Sequence, residues 1–138
     1  MKSTRTLAVL ALALGATACA RNISLSPPVP SFGGAPPVIV RETAQGQVLA
    51  TNRGMTLYIY DQDRFNRSVC FAGCAEQFPP LRAEPGAQPS GDYTLVARDD
   101  GAAQWAHRGR PLYTFSGDPS PGDVAGTGAG PAWRLARY

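Results

Sequence analysis

Cys70 and Cys74 are the residues of this chain best equipped for chemistry, and their spacing restricts what that chemistry can be. On one helical turn, cysteines four apart have Cα atoms about 6 Å from each other, within disulfide reach if the turn is distorted. A structural clip is therefore the leading reading. A redox-active pair competes with it, although the usual arrangement has two intervening residues rather than three and sits in a βαβ pattern that is missing here. Haem attachment needs a histidine after the second cysteine, where Ala75 stands. A closed zinc site needs four ligands, and His107 is the only histidine. His107 lies opposite Asn52 in an internal alignment, so it reads as a turn residue. No Gly-x-Ser-x-Gly elbow accompanies it to support Ser/His/Asp catalysis. Asp61-Gln62-Asp63 begins like a calcium loop, but Phe65 and Asn66 occupy positions where that pattern wants an oxygen ligand and a glycine. Asp63 and Asp118 thus read as turn-capping residues, with metal binding as the alternative. Gly126 to Gly130 are closed by Pro131 and open no helix, which argues against a phosphate cradle. No catalytic residue, metal or cofactor is assigned on these grounds.

The aromatic residues differ from these candidates because they recur. Arg53-Gly54-Met55-Thr56-Leu57-Tyr58-Ile59-Tyr60-Asp61-Gln62-Asp63 lies without a gap over Arg108-Gly109-Arg110-Pro111-Leu112-Tyr113-Thr114-Phe115-Ser116-Gly117-Asp118, 55 residues later. In that register Phe78 falls on Trp133. One structural unit has been used twice. Tyr58, Tyr60, Phe78, Tyr113, Phe115 and Trp133 form either a shared core or a pair of aromatic surfaces for a flat or saccharide-like ligand. Phe78, Trp105 and Trp133 are the candidate ligand-facing rings.

The elements that must position these side chains are strands. Val38-Ile39-Val40, Gln47 to Ala50 and Thr56 to Tyr60 have strand composition, with Thr51 to Gly54 as a turn between the last two. Ala103 to Ala106 and Pro111 to Phe115 repeat the arrangement around His107-Arg108-Gly109, and Gly54 and Gly109 supply the positive φ of each turn. Alternation places Tyr58 with Tyr60, and Tyr113 with Phe115, on one face, against Leu57 with Ile59, and Leu112 with Thr114, on the other. Both faces are apolar or aromatic, so these strands should be covered on both sides. Asp92 to Arg98 and Trp133 to Tyr138 add further strands. The single expected helix runs from Cys70 to Gln77 and is stopped by Pro79-Pro80. The fold class is mainly β: two pseudo-equivalent β-hairpin repeats, about 46–81 and 102–137, with one short helix carrying the Cys pair.

The first residues give the compartment. Lys2 and Arg5, an apolar run from Leu7 to Leu14 and small residues up to Ala18 form a secretory signal peptide, 1–18, too short to span a membrane. Cleavage before Cys19 suits a simple Ala-x-Ala site or a lipoprotein site, and Ala16 is unusual for the latter. The unpaired thiol of Cys19 favours lipidation. Residues 19–37 hold five prolines and almost no charge, a semi-rigid tether on the order of 50 Å at about 3.1 Å per residue. Loss of Lys2 and Arg5 lowers the formal charge from +3 to +1, and every remaining cation is arginine. Scattered arginines without aromatic interleaving give no case for nucleic acid. Residues 38–138 suffice for one modest core.

Leu57-Tyr58-Ile59-Tyr60-Asp61-Gln62-Asp63, the Cys70 to Cys74 pair, Phe78-Pro79-Pro80-Leu81, and their second-copy counterparts through Asp118, Pro121-Gly122-Asp123 and Trp133 resemble the bacterial predicted lipoproteins with a repeated Tyr-x-aromatic-x-x-Asp motif, the secreted repeat of unknown function. Phe78 departs from the Trp common there. The resemblance implies an exported, often lipid-anchored protein with no established reaction. The expectation is a monomeric, non-catalytic envelope module, held at the membrane by lipid on Cys19, that meets an unidentified envelope ligand or protein. A redox or cofactor-linked accessory using Cys70 and Cys74, and a small metal-binding protein, are the alternatives.

Overall fold

The computed structural model describes residues 34–138 together with Gly15. The signal peptide, Cys19 and most of the Pro-rich tether lie outside the described residues, among which no helix is long and apolar enough to cross a membrane. Seven strands follow one another: β1 (Val38–Thr43), β2 (Gly46–Thr51), β3 (Tyr58–Tyr60), β4 (Tyr93–Ala97), β5 (Ala103–His107), β6 (Arg110–Pro111) and β7 (Trp133–Leu135). A five-residue helix, α1 (Gly73–Gln77), lies between β3 and β4, and a turn of 3₁₀ helix spans Ala125–Gly128.

Each repeat begins with an antiparallel pair, β1 on β2 and β4 on β5, so the repeat starts earlier than the expected 46 and 102. The next hairpin differs between copies by one residue. Arg108 and Gly109, with φ of 49° and 78°, make the two-residue turn between β5 and β6. Both positive angles match the turn whose twist suits adjoining strands. In the first copy Asn52-Arg53-Gly54 forms a three-residue turn ending on Gly54 at φ 87°. Ala50 pairs with Thr56 as Ala106 pairs with Pro111, which aligns His107 with Thr51 rather than with Asn52. His107 is consequently the last residue of a strand and is buried, not a turn residue.

The repeats then exchange their closing segments. β7, from the second repeat, pairs with β3 of the first, placing Trp133 opposite Tyr60. Reciprocally, Leu81 N–H donates to Leu112 O at 2.9 Å and Trp105 N–H to Leu81 O at 2.8 Å. At the centre Tyr58 and Tyr113 exchange both backbone bonds, at 2.7 and 3.0 Å. The local pseudo-twofold axis passes between these two residues. Each hairpin therefore depends on a strand from the other copy, and the halves form one folding unit.

The period-2 pattern of the central strands separates two apolar clusters. Tyr58, Phe78, Tyr113 and Trp133 lie in one with Val48, Cys70 and Leu135, while Leu49, Leu57, Trp105, Leu112 and Ala136 form the other. Both faces are covered, as their composition requires. Burying each large side chain contributes on the order of 1.5–3 kcal/mol relative to exposure. The helix is shorter than expected. Cys70 lies before it and only Cys74 within it, with Ala72 at φ 49° between them. A cystine linking positions four apart does not fit a regular turn, so the chain becomes helical only after the first cysteine.

Candidate functional site

The recurring tyrosines and aspartates meet, but across the repeats. Tyr58 donates its hydroxyl proton to Asp118 Oδ2 at 2.7 Å, and Tyr113 donates to Asp63 Oδ2 at 2.6 Å. The other oxygen of each carboxylate accepts a loop N–H, Val69 to Asp63 Oδ1 and Ala125 to Asp118 Oδ1, both at 2.8 Å. The turn bonds around the aspartates are made by backbone instead, Asp63 N–H to Tyr60 O and Asp118 N–H to Phe115 O. Each aspartate thus fixes the loop that follows it and bolts that loop to the opposite tyrosine. Both oxygens of each carboxylate are therefore already engaged within the protein.

Burial governs the electrostatics of these pairs. Both phenols are pushed well above the ordinary tyrosine value, first by burial and then by the hydrogen bond to the partner carboxylate. They remain protonated donors across neutral pH. Asp63 and Asp118 are raised as well, because burial outweighs the stabilising hydrogen bonds from tyrosine and backbone.

One pair belongs to a larger network. Arg98, 5% exposed, donates from Nη1 to Ser68 Oγ at 2.9 Å and to Gln104 Oε1 at 2.8 Å, from Nη2 to Cys70 O at 2.8 Å, and from Nε to Asp100 Oδ2 at 3.1 Å. Ser68 Oγ lies 2.7 Å from Tyr113 Oη, and Gln104 Nε2 donates to Leu112 O at 2.8 Å. Nearly every donor of the buried guanidinium is used, which is what makes such burial tolerable. Phe71 lies against the same guanidinium, its ring centroid 4.7 Å away. A residue of the second repeat thereby holds the cysteine loop of the first. Sequence reasoning did not single out Ser68, Arg98 or Gln104; the one available signal was a polar Gln104 inside an apolar strand.

Cys70 and Cys74 are joined in a disulfide with Cα atoms 5.3 Å apart. Cys70 is fully buried. Phe78, Trp105 and Trp133, considered as ligand-facing rings, are core residues instead. Strand exchange brings Phe78 and Trp133 face to face, with centroids 3.5 Å apart and planes at 6°. Trp133 also stacks on Tyr60, and Phe78 packs against Phe115, so the six recurring aromatics form one body. Among the described residues, the rings that face solvent are Phe65 and Tyr138.

A duplicated β module, closed by exchanged strands and by crossed tyrosine–carboxylate bonds, is the class of protein that this arrangement defines. The family model described as a secreted repeat of unknown function matches residues 39–82 and again 94–137, and the chain belongs to that family. The two matches begin within β1 and β4, where the structure also starts each repeat. Membership in a secreted family agrees with export. No curated protein and no solved structure matches the chain.

Proposed function

We propose that the chain is a non-catalytic lipoprotein of the cell envelope. Cys19 carries the lipid, the Pro-rich segment to residue 37 spaces the domain from the membrane surface, and the two-repeat domain acts as a binding or structural module. The supporting observation is how the duplicated motif is used: Tyr58, Tyr113, Asp63 and Asp118 spend their polar atoms on one another and on adjacent loops. The motif is thus accounted for as architecture. Function is carried by features that the two copies do not share.

Labelling with a palmitate analogue in a bacterial host tests the anchor. Wild type should incorporate label and sediment with membranes, whereas Cys19→Ala should do neither. Unlabelled wild type in the soluble exported fraction would overturn the lipoprotein reading and leave a secreted domain.

A further inference from the structure

The duplication supplies an internal control: a surface feature present in one copy and missing at the equivalent place in the other is not required by the fold. One cleft differs between the copies in the basic side chains that line it. It has a volume of about 160 Å³ and is lined by Ile59, His107, Arg108, Arg110, Ala136 and Arg137. Two of its arginines come from the β5–β6 turn region and one from the segment following β7. The register of the repeats places Thr51, Arg53, Met55, Thr114, Leu81 and Arg82 at the equivalent positions. His107 and Arg110 thus stand where the first copy has Thr51 and Met55, so the second copy brings three arginines and a histidine to a place where the first has the two arginines Arg53 and Arg82.

The charges are fixed in place but not neutralised there. Arg137 is clamped by the carbonyls of Gln45 and Gln47, both at 3.0 Å. Arg108 pairs with Asp92 at 2.9 Å. Asp61 is shared between Arg134 at 2.6 Å and Arg110 at 3.3 Å. The three guanidiniums of the cleft, Arg108, Arg110 and Arg137, thus have two carboxylates between them, one of them shared with Arg134 outside the cleft, and neither carboxylate lines the cleft. Two nitrogens of its wall, Arg110 Nε and His107 Nε2, are shielded from solvent and have no hydrogen-bond partner. Buried polar atoms are normally paired, and orphans call for an explanation. Asp61 engages Arg110 only through Nη2, which leaves the Nε–H uncommitted.

We propose that this cleft binds a phosphate-type oxyanion. Three guanidiniums offer more donors and charge than a single carboxylate ligand would use, and the planar arginine fork matches phosphate oxygens. Ile59 and Ala136 form the apolar part of the cleft wall beside the guanidiniums. The site rests on the binding-module reading and gives it a ligand class. The phosphate has two possible sources, the headgroup of an anionic phospholipid beneath the tethered domain or a free phosphate.

The exported full-length chain carrying Cys19→Ser, which stays in solution, is titrated with inorganic phosphate and with chloride at equal ionic strength. The Arg Nε–H resonances are followed by NMR. Phosphate should move the Arg110 Nε–H signal saturably and chloride should not. Arg108→Gln and Arg110→Gln, checked for unchanged melting, should each weaken binding by about tenfold, the loss expected for one charge-assisted bond. Arg53→Gln, at the equivalent place in the other copy, should leave it unchanged. Phosphatidylglycerol vesicles that capture the protein and release it to free phosphate would identify the lipid source, and binding of free phosphate alone would identify the soluble one. A weak, unsaturating shift shared with chloride, or equal loss in Arg53→Gln, overturns the site. Neither result bears on palmitate labelling, so the anchor stands or falls separately.

Discussion

Tyr58 and Asp118 lie 60 residues apart in sequence, in different copies of the same motif, and are joined by a 2.7 Å hydrogen bond that closes one repeat on the other. Tyr58 Oη also accepts the Gly126 N–H at 3.1 Å. Tyr58→Phe therefore strands both a carboxylate oxygen and a buried amide. The substitution should destabilise the domain by about 1–3 kcal/mol, the cost of leaving buried partners unpaired. Asp118→Asn should cost a similar amount, and the double variant less than the sum of the two, since they remove one shared bond. Urea unfolding of the four proteins measures this coupling. Additive effects would show that the crossed pair does not hold the halves together.

The Cys70–Cys74 bridge closes a very short loop, for which chain entropy gives a stabilisation of about 2 kcal/mol. Cys70 is buried and its carbonyl is held by Arg98, so the bridge should resist mild reductant in the native state. The double variant Cys70→Ser/Cys74→Ser should remain folded, with a midpoint lowered to match that loss. Thiol titration across a graded series of redox buffers provides the check. Ready reduction in the folded state, giving a low-pKa thiol, would favour the redox-accessory alternative over the clip.

Much of this architecture was legible in the sequence because its signals are local. The alternation of Leu57, Tyr58, Ile59 and Tyr60 assigns faces without any tertiary information, and Phe78 aligned with Trp133 marks the repeat. The exchange was not legible, for a physical reason inherent in duplication. Tyr58 with Asp63 and Tyr58 with Asp118 are chemically identical pairings, and only the path of the chain selects the second. A gapless alignment sets His107 opposite Asn52 because it cannot reveal that one turn has three residues and the other two. Arg98 gives no local signal, since a charged residue beside Asp99 and Asp100 at a strand end reads as solvated, and its burial depends on Ser68 and the cysteine loop, both remote in sequence. The basic cleft followed the same rule: its arginines come from segments about 27 residues apart, brought together only when β7 closes the sheet.

Acid stability distinguishes the forces acting on the crossed pairs. Burial raises Asp118 and Asp63 above the unfolded value of 3.8. A carboxyl group with a raised folded pKa binds its proton more readily in the native state than in the unfolded state. Its contribution to stability therefore increases as pH falls through the window from the raised value down to about 4, and decreases as pH rises. His107 acts in the opposite direction. Burial, and then the Arg108 charge, lower its pKa, so the unfolded chain takes up that proton first and stability declines as pH falls below 6.5. Of the groups that titrate in this range, Asp118→Asn removes only the Asp118 carboxyl, and the cost of its altered hydrogen bonds does not vary with pH there. The stability of wild type relative to Asp118→Asn should therefore increase on acidification from neutral pH to about 4, as measured by urea midpoints at matched ionic strength. The reverse trend would mean that the bonds from Tyr58 and the Ala125 N–H outweigh burial and that the carboxylate is held ionised. The crossed pair would then act as a buried anion site stabilised by its donors rather than as a desolvated acid.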